Sequence, residues 1–445
     1  MIKMHKITPK DKIRAVLRVP ADKSISHRAV IISSIAKGKT FIKNFLYSHD
    51  TNASFKCMRS LGVKTERKTK GMVFISSEGM YFSRNRQIVL NTANSGTTLR
   101  LMSGILAPQK FDSVLTAEES LRKRPMKRVT EPLRLMGADV RGRSIRGEEY
   151  PPLYIKHKLP IRGINYRLKV SSAQVKSAIL FASLFAEGVT KIKEPVQSRD
   201  HTERMLKMFG ASIKKEKGFI YSGKSSLISP GSIFIPGDLS SASFFIALGA
   251  VLDKSEIVIK NTGINPTRMG FINVLRKMGA RIKVINKVMY FEPYGDIVSV
   301  SSKLKGVVVK KEEIPLMIDE LPLLFVCASF AKGTSIIYGL KELKVKETDR
   351  ISSMVYNLKR AGIDIRAEYY RGDWRVIVKG IGADRDRIKP AGFKSFSDHR
   401  TAMSMIIFGI ASSKECNIDD INCIGKSFPG FINTVNSLSG NKLVY

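Results

Sequence analysis

The sequence predicts an α/β protein of two domains, built from six copies of one βαβαββ unit of roughly 75 residues. Three observations predict this fold class. The chain has 445 residues, which is too long for one ordinary core and favours two domains. A strand, a polar turn and a helix start recur together along the whole chain, and a glycine follows the second helix of most copies. Three copies per domain agree with all of these signals.

Each copy is expected to open with a short strand that runs into a polar turn and an apolar helix. The matching segments are VLRVPADKSISHR, IVLNTANSGTTLR, YRLKVSSAQVKSA, IFIPGDLSSASFF, VVVKKEEIPLMIDELP and KSFSDHRTAM. The apolar helix ends at a small-residue or Gly/Lys break, as in SIAKGKTFIKN, and a second strand follows it.

An amphipathic helix comes next and ends at a glycine, because glycine tolerates the left-handed backbone that such a stop requires. Five copies carry this glycine, at Gly62, Gly137, Gly210, Gly279 and Gly362, and the sixth is degenerate there. Two further strands close the copy, and the last of them alternates, as in MVFIS and PLYIK. KLVY at the end of the chain is expected to be the last strand of the sixth copy.

Composition excludes several classes of protein. Hydrophobic residues make up 43% of the chain and charged residues 26%, which is typical of a globular protein. No apolar run reaches the roughly 18 residues of a membrane helix, and the start MIKMHKITPK has no apolar signal region. The cysteines are scattered, which predicts a reduced cytoplasmic protein without a zinc site; they are Cys57, Cys327, Cys416 and Cys423.

The net charge of +38 is unusual and indicates an anionic partner. Such a field attracts nucleic acid, but it attracts small phosphorylated acids equally well. The basic residues are spread along the chain, and no zinc-finger spacing or RNA-recognition motif accompanies them. Composition alone therefore leaves both kinds of partner open.

The recurring helix starts are candidate anion-binding positions, because the first N–H groups of a helix are unpaired and carry partial positive charge. These turns contain Lys23, Ser24, Ser95, Gly96, Thr97, Ser172, Gln174 and Arg400. A second basic position recurs at Arg124, Arg199, Arg268, Lys346 with Arg350, and Lys426. Any single cation would be interpreted as solvated surface charge, but recurrence at one phase of the repeat favours a cleft for a ligand with several negative groups.

Two acidic segments allow two interpretations each. IDELP places Asp319 and Glu320 at a helix start, where a carboxylate commonly caps the helix. KETDR brings Glu347 and Asp349 among cations, either as ordinary salt bridges or as a general acid/base. The spacing alone does not decide between these roles.

A formal P-loop match runs from Gly218 to Ser225. A real P-loop needs a buried strand before it and a helix after it. Here Pro230 and Gly231 follow and block a helix, and FIYS fits one of the repeated last strands. We interpret the match as spurious.

Nine ordered motifs resemble the signatures of 5-enolpyruvylshikimate-3-phosphate synthases over the whole chain, and they are closer to the class II branch. They are PADKSISHR, NTANSGTTLR, SLRKRPMKRVTEPL, SSAQVKSA, SRDHTERML, IDELP, KVKETDRI, SDHRTAM and GKSFP. The resemblance implies the two-domain enolpyruvyl transferase fold, an inside-out α/β barrel with three units per domain. It also implies that one domain is residues 21–239 and that the other is residues 1–20 with 240–445.

The activity implied by the resemblance is transfer of the enolpyruvyl group of phosphoenolpyruvate to shikimate 3-phosphate, by a cytoplasmic and usually monomeric enzyme without a metal or organic cofactor. The implied catalytic residues are Asp319, Glu347 and Lys23. The implied substrate-binding residues are Lys23, Ser24, Arg28, Gly96, Thr97, Arg124, Ser172, Ala173, Gln174, Arg199, Asp319, Lys346, Arg350, Arg400 and Lys426. Neither a membrane nor a specific nucleic acid is expected as a partner.

Three departures from the family pattern occur, at Ala21, Ala173 and Glu342, and no role is carried over to Glu342. The nearest alternative is the cell-wall enolpyruvyl transferase that acts on UDP-N-acetylglucosamine. That family tends to have Asn after its first-turn Lys and a reactive Cys in its mobile loop. Here Ser24 follows Lys23, and the corresponding loop TAEESLRKRPM has no Cys. The histidines of the site motifs receive no catalytic role.

Overall fold

The computed structural model describes residues 4–68, 71–439 and 442–445. The chain forms two compact units. We call Ala21–Ile235 the central unit, and Met1–Pro20 with Pro236–Tyr445 the terminal unit. Within the described ranges, no helix is both long and apolar enough to cross a membrane.

The elements follow one another in the order of the predicted copies. The terminal unit begins with β1 (His5–Ile7) and β2 (Arg14–Arg18). The central unit contains α1 (Lys23–Ser34), β3 (Gly38–Lys43), α2 (His49–Ser60), β4 (Lys64–Arg67), β5 (Val73–Ser77), β6 (Ile88–Asn91), α3 (Gly96–Leu106), β7 (Ser113–Thr116), α4 (Glu119–Arg122), α5 (Lys127–Leu135), β8 (Asp139–Ile145), β9 (Glu148–Lys156), β10 (Asn165–Arg167), α6 (Ala173–Ser183), β11 (Val189–Lys193), α7 (His201–Met208), β12 (Ile213–Glu216), β13 (Phe219–Gly223) and β14 (Ser232–Phe234).

The remainder of the chain completes the terminal unit. It contains α8 (Leu239–Val251), β15 (Glu256–Gly263), α9 (Gly270–Lys277), β16 (Arg281–Val288), β17 (Tyr294–Val300), β18 (Val308–Val309), α10 (Leu321–Ser329), β19 (Lys332–Ile337), α11 (Arg350–Arg360), β20 (Asp364–Tyr370), β21 (Asp373–Ile381), β22 (Gly392–Phe393), α12 (His399–Ala411), β23 (Cys416–Ile418) and α13 (Phe431–Asn436). Short 3-10 helices at Pro266–Arg268, Lys311–Leu316, Lys341–Val345, Arg385–Arg387 and Asn422–Lys426 connect these elements.

Five four-stranded sheets share one strand order. The first strand of each sheet lies parallel to the second, and the fourth strand lies between the second and the third and pairs with both. The sheets β6-β7-β9-β8, β10-β11-β13-β12 and β18-β19-β21-β20 each come from a single copy. The first and fourth copies instead exchange their first strands, because β14 pairs with β3 and β2 pairs with β15. In the second of these parallel pairs, Val16 lies opposite Val258.

The sixth sheet has three strands, in the order β1-β23-β22. The N-terminal strand β1 runs antiparallel to β23. The expectation that KLVY forms a full closing strand is therefore wrong: β1 takes a place in this sheet, and Val444 makes only an isolated antiparallel bridge with Ile7.

Burial explains the two kinds of helix in each copy. Every residue of α8 and of α12 is buried, which fits their apolar sequences, since a helix that is apolar all round belongs in a core. The second helices expose one face and end at the predicted glycines, with φ of 91° at Gly62 and 86° at Gly362. The formal P-loop match falls on strand β13, and no helix lies between it and β14 in this described stretch, so that match is spurious as predicted.

Candidate active site

Three buried helices of the central unit begin in the same way, with a capping side chain. Asp22 accepts a hydrogen bond from the N–H of Ile25 at 2.9 Å at the start of α1. Ser95 and Ser172 do the same for the N–H groups of the third residue after them in α3 and α6, at 3.2 and 3.4 Å. Each cap satisfies one N–H of the first turn, and the other N–H groups of the turn remain available to an anion.

The starts of α3 and α6 are joined by side-chain hydrogen bonds. Gln174 Nε2 donates to Thr97 Oγ1 at 2.8 Å, and Gln174 Oε1 accepts from Arg100 Nη1 at 2.7 Å. A β-carbon on Gly96 would lie 2.8 Å from Arg100 Nη1 and 3.1 Å from Arg124 Nη1. Two guanidinium groups therefore lie against Gly96, and the predicted residues Gly96, Thr97, Arg124 and Gln174 come together in one place.

The start of α1 is joined to α2, α6 and α7. Lys23 Nζ lies 3.1 Å from Asp50 Oδ2, and both side chains are about one-fifth exposed. Arg28 is buried, and it donates to Thr202 Oγ1 at 2.6 Å and to Ser177 Oγ at 2.8 Å. It also donates to the carbonyl of Ser24 at 3.0 Å, so Arg28 is fixed directly behind the first turn of α1.

The turn before α6 is tied to the loop that carries Arg199. Ser171 Oγ donates to the carbonyl of Val196 at 2.6 Å and accepts from its N–H at 3.0 Å. Ser172 and Ala173 directly follow Ser171, and Arg199 lies three residues after Val196 and two residues before His201, the first residue of α7. All predicted site residues of the central unit thus lie on connected helix starts and the adjoining loops.

His27 is buried behind these turns. Its Nδ1 lies 2.8 Å from Ser54 Oγ, which lies 2.8 Å from Thr98 Oγ1, so α1, α2 and α3 are linked by one chain of hydrogen bonds. Burial and the charges of Lys23 and Arg28 hold the pKa of His27 well below its usual 6.5. A buried, neutral His27 thus links three helices, and that it has no catalytic role stays a prediction.

In the terminal unit, Arg350 is the centre of a group of carboxylates. It is the first residue of α11 and its side chain is 2% exposed. Arg350 Nε lies 3.0 Å from Asp398 Oδ2, Nη2 lies 2.8 Å from Glu347 Oε2, and Nη1 lies 3.6 Å from Asp319 Oδ1. Burial opposes the positive charge, but Asp398, Glu347 and Asp319 together raise the pKa of Arg350.

Asp398 joins Arg350 to the start of α12. Its Oδ1 accepts from the N–H groups of Arg400 and Thr401 at 2.8 and 3.0 Å. Burial alone would raise the pKa of Asp398, but the charge of Arg350 holds it below the usual value. The two residues before Asp398 are Phe396 and Ser397, both left-handed with φ of 53° and 55°, a strained backbone of the kind found at functional sites.

Two buried arginines of this group keep open donors. Arg350 Nη1 and Arg400 Nε are buried and have no hydrogen-bond partner among the residues that the structure describes. A buried guanidinium nitrogen without a partner is costly, so these atoms are suited to an anionic ligand. Arg350 also contacts the two carboxylates predicted to act as acid and base, Asp319 and Glu347.

The structure shows which carboxylates of the acidic segments cap a helix. Glu320 stands at the N-terminal cap position of α10 but makes no capping bond from its side chain there; it hydrogen-bonds Ser240 instead. Asp349 does cap α11, accepting from the N–H groups of Ile351 and Ser352 at 3.1 and 3.0 Å. Asp349 is thus the structural residue of KETDR, while Glu347 contacts Arg350.

One predicted cation does not belong to an open site. Arg268 is buried, and its Nη2 lies 3.2 Å from Asp238 Oδ1 and 2.5 Å from Ser240 Oγ. The expectation that it lines a ligand cleft is wrong, because a buried guanidinium needs such partners and finds them within the fold. Lys346 precedes α11 by four residues, and Lys426 ends a 3-10 helix that packs on α12.

Sequence reasoning missed several residues of both groups. Asp398 could have been found, because it occupies the same phase of the repeat as the capping residues Asp22 and Asp238. Asp50 and Thr202 had no signal, since neither lies in a recurring turn and their contacts depend on the packing of separate helices.

The fold defines a class of protein: an enzyme of two α/β units with the enolpyruvyl transferase fold. The enolpyruvyl transferase NikO from Streptomyces tendae superposes with a TM-score of 0.76 at 15% identity, covering 98% of this chain and 97% of that one, which shows the fold. The family description EPSP synthase (3-phosphoshikimate 1-carboxyvinyltransferase) matches residues 7–435. The chain belongs to the EPSP synthase family.

Individual relatives agree with this assignment. The 3-phosphoshikimate 1-carboxyvinyltransferase of Petrotoga mobilis is 45% identical over 427 residues, which is 96% of this chain and 97% of the relative. That of Geotalea daltonii is 42% identical over 431 residues, or 97% of this chain and 98% of the relative. The EPSP synthase structure from Acinetobacter baumannii superposes with a TM-score of 0.88 at 39% identity and covers 99% of both chains.

Proposed function

We propose that this enzyme transfers the enolpyruvyl (1-carboxyvinyl) group of phosphoenolpyruvate to the 5-hydroxyl of shikimate 3-phosphate and releases phosphate. This transferase step belongs to the shikimate pathway, which leads to chorismate and the aromatic amino acids. Family membership and the named relatives support the reaction. Within the chain, the observation that carries the proposal is Arg350: a buried guanidinium that forms ion pairs with two candidate acid/base carboxylates and whose Nη1 makes no hydrogen bond to any described residue.

The central unit is proposed to hold most of shikimate 3-phosphate. The residues assigned to it there are Lys23, Ser24, Arg28, Ser172, Ala173, Gln174 and Arg199. Their common property supports the assignment, since each lies on a helix start or adjoins one, where N–H groups and basic side chains meet. From the terminal unit, Asp319 and Lys346 are proposed to contact the hydroxyls of the shikimate ring.

Phosphoenolpyruvate carries a phosphate and a carboxylate and is proposed to bind guanidinium and ammonium groups. The residues assigned to it are Gly96, Thr97, Arg124, Arg350, Arg400 and Lys426, with Lys23 also near it. The close approach of Arg124 to Gly96 and the open donors of the two buried arginines support this assignment.

The proposed chemistry is an addition followed by an elimination. Asp319 accepts the proton of the attacking 5-hydroxyl, while protonated Glu347, together with Lys23, delivers a proton to the methylene carbon of phosphoenolpyruvate. The new C–O bond gives a tetrahedral adduct with a methyl group. The carboxylate of Glu347 then takes back a proton from the methyl group as phosphate leaves, which regenerates the double bond. Positioning two anions among fixed cations supplies much of the rate enhancement, about 7–11 kcal/mol in favourable cases.

A phosphate-release assay tests the function. The purified enzyme should release phosphate from phosphoenolpyruvate when shikimate 3-phosphate is the acceptor, and not when UDP-N-acetylglucosamine replaces it. Phosphate release with UDP-N-acetylglucosamine alone would support the cell-wall enolpyruvyl transferase instead. No turnover with either acceptor, together with salt-sensitive retention on heparin, would favour the nucleic-acid-binding alternative.

We further propose that the central and terminal units are the two domains of the family fold, and that the enzyme works as a cytoplasmic monomer without a specific nucleic-acid partner. The three complete sheets of the central unit and the family match support the domain assignment. Sedimentation equilibrium should give a mass near 49.6 kDa, and a mass twice that value would contradict the monomer.

A further inference from the structure

Lys176 of α6 is a buried lysine whose charge the reaction does not use. Its side chain is 1% exposed, and Nζ lies 2.7 Å from Glu194 Oε2 and 2.8 Å from Glu203 Oε1. Burial alone would lower the pKa of Lys176, but the charges of Glu203 and Glu194 raise it above the ordinary value. Lysine is almost never fully buried unless it is paired, so this ion triplet is a specific feature of the fold.

The triplet joins three separate segments around one nitrogen. Lys176 lies in the first turn of α6, Glu194 directly follows β11, and Glu203 lies in the first turn of α7. Glu194 also accepts from the N–H of Ser198 at 3.3 Å and from its hydroxyl, and Lys176 Nζ lies 3.5 Å from the carbonyl of Ser198. The loop 194–200, which carries Arg199, is therefore folded around the ammonium group of Lys176.

The neighbours of the triplet hold a second arginine. Ser177 follows Lys176 on α6, and Thr202 precedes Glu203 on α7. These two hydroxyls lie 2.6 Å apart, and both accept from Arg28. A shift of α7 relative to α6 would therefore move Arg28 and Arg199 together.

We propose that Lys176 is a positioning residue for shikimate 3-phosphate: through Glu194 and Glu203 it sets the place of Arg199 and Arg28 relative to the turn of Ser172. The inference rests on the proposed function, because it takes Arg28, Arg199 and Ser172 as contacts of that substrate. Stability alone does not call for such a triplet, since buried ion pairs can often be replaced by apolar groups without loss. An ion triplet does, however, fix direction and distance in a way that apolar packing does not.

The test uses two variants and one control. Glu203→Gln keeps the Lys176–Glu194 pair and removes the charge that links Lys176 to α7. The triple variant Lys176→Met with Glu194→Gln and Glu203→Gln removes all three charges while preserving approximate volume. Lys260→Met is the control, since it removes a lysine ion pair of similar length, with Asp296 at 2.8 Å, from the terminal unit, where Lys260 is 38% exposed.

Calorimetric titration with shikimate 3-phosphate, without phosphoenolpyruvate, separates positioning from folding. We expect the Kd to rise about tenfold in the triple variant and about threefold in Glu203→Gln, with Lys260→Met unchanged. A wild-type Kd in a folded triple variant would overturn the proposal, even if its Tm were lowered. If the triple variant does not fold, the Kd of Glu203→Gln decides in the same way. If wild-type enzyme neither binds nor turns over shikimate 3-phosphate, the proposed function itself has failed.

Discussion

Replacing Asp398 with Asn removes one charge from the terminal unit and keeps the shape of the side chain. In the wild type, one oxygen of Asp398 caps α12 and the other accepts from Arg350 Nε at 3.0 Å. An asparagine can keep the cap by turning its oxygen towards α12. Its NH2 group then faces the guanidinium of Arg350, so two donors meet where an ion pair had been.

The size of the effect follows from what remains around Arg350. Removing one partner of a buried ion pair costs about 3–5 kcal/mol when nothing else compensates the charge. Glu347 and Asp319 remain and compensate part of the charge of Arg350, although their side chains are 34% and 23% exposed. We therefore expect the free energy of unfolding to fall by about 2–3 kcal/mol. Asp398→Ala also loses the helix cap and should cost about 1 kcal/mol more.

Trp374 gives an assay for this unit, because it is the single tryptophan of the chain and lies on β21. Its fluorescence during urea unfolding should show lowered midpoints in the order wild type, Asn, Ala. The pKa of Asp398 in the folded unit lies below its usual 3.8, so the contribution is present above that pH and is lost as pH falls through the folded value. An Asn variant within about 1 kcal/mol of wild type at neutral pH would refute the reasoning.

Three other predictions follow from the site. Asp319→Asn and Glu347→Gln should each fold normally and lose at least about 100-fold in phosphate release, because each removes one proton-transfer group; unchanged turnover would exclude that residue from the mechanism. We expect glyphosate to inhibit the wild type in competition with phosphoenolpyruvate. Gly96→Ala should raise the KM for phosphoenolpyruvate and weaken this inhibition, since its β-carbon would lie 2.8 Å from Arg100 Nη1 and must displace that group; wild-type kinetics would contradict this. Burial lowers the pKa of His27 in the folded protein. As the pH falls below the usual value of 6.5, His27 is therefore protonated in the unfolded chain before it is protonated in the folded protein. Between about pH 7.5 and 5.5 the wild type should therefore lose up to about 1.4 kcal/mol of stability that His27→Gln does not lose, and equal slopes in the two proteins would refute the role of burial.

Much of the fold could be predicted from local sequence, and the reason is physical. A glycine such as Gly62 ends a helix through its own backbone freedom, so its effect does not depend on distant residues. The exchange of β2 and β14 has no such local signal, because the sequence of a short parallel strand does not indicate which of two similar sheets it joins. The assignment of residues 1–20, which contain β2, to the domain of residues 240–445 rests on the family resemblance.

The site was predictable only where the repeat placed residues in phase. The turns that carry Lys23, Gly96 and Ser172 were found because they recur at helix starts. Arg268 occupies the same phase of the repeat as Arg124 and Arg199, yet it is buried against Asp238, and sequence does not distinguish an open cation from a paired one. The contacts of Lys176 with glutamates from other segments are likewise set by tertiary packing alone.

The exchanged strands have a consequence for the order in which the protein is made. The ribosome synthesises β2 first, but its sheet partner β15 emerges only after the entire central unit, which has every strand of its own sheets by Ile235. Contacts between residues so distant along the chain form late. The segment with β2 therefore stays unpaired while the central unit folds. A fragment of residues 21–235 should accordingly show a cooperative melt by circular dichroism when expressed alone, whereas residues 236–445, which lack β1 and β2, should not.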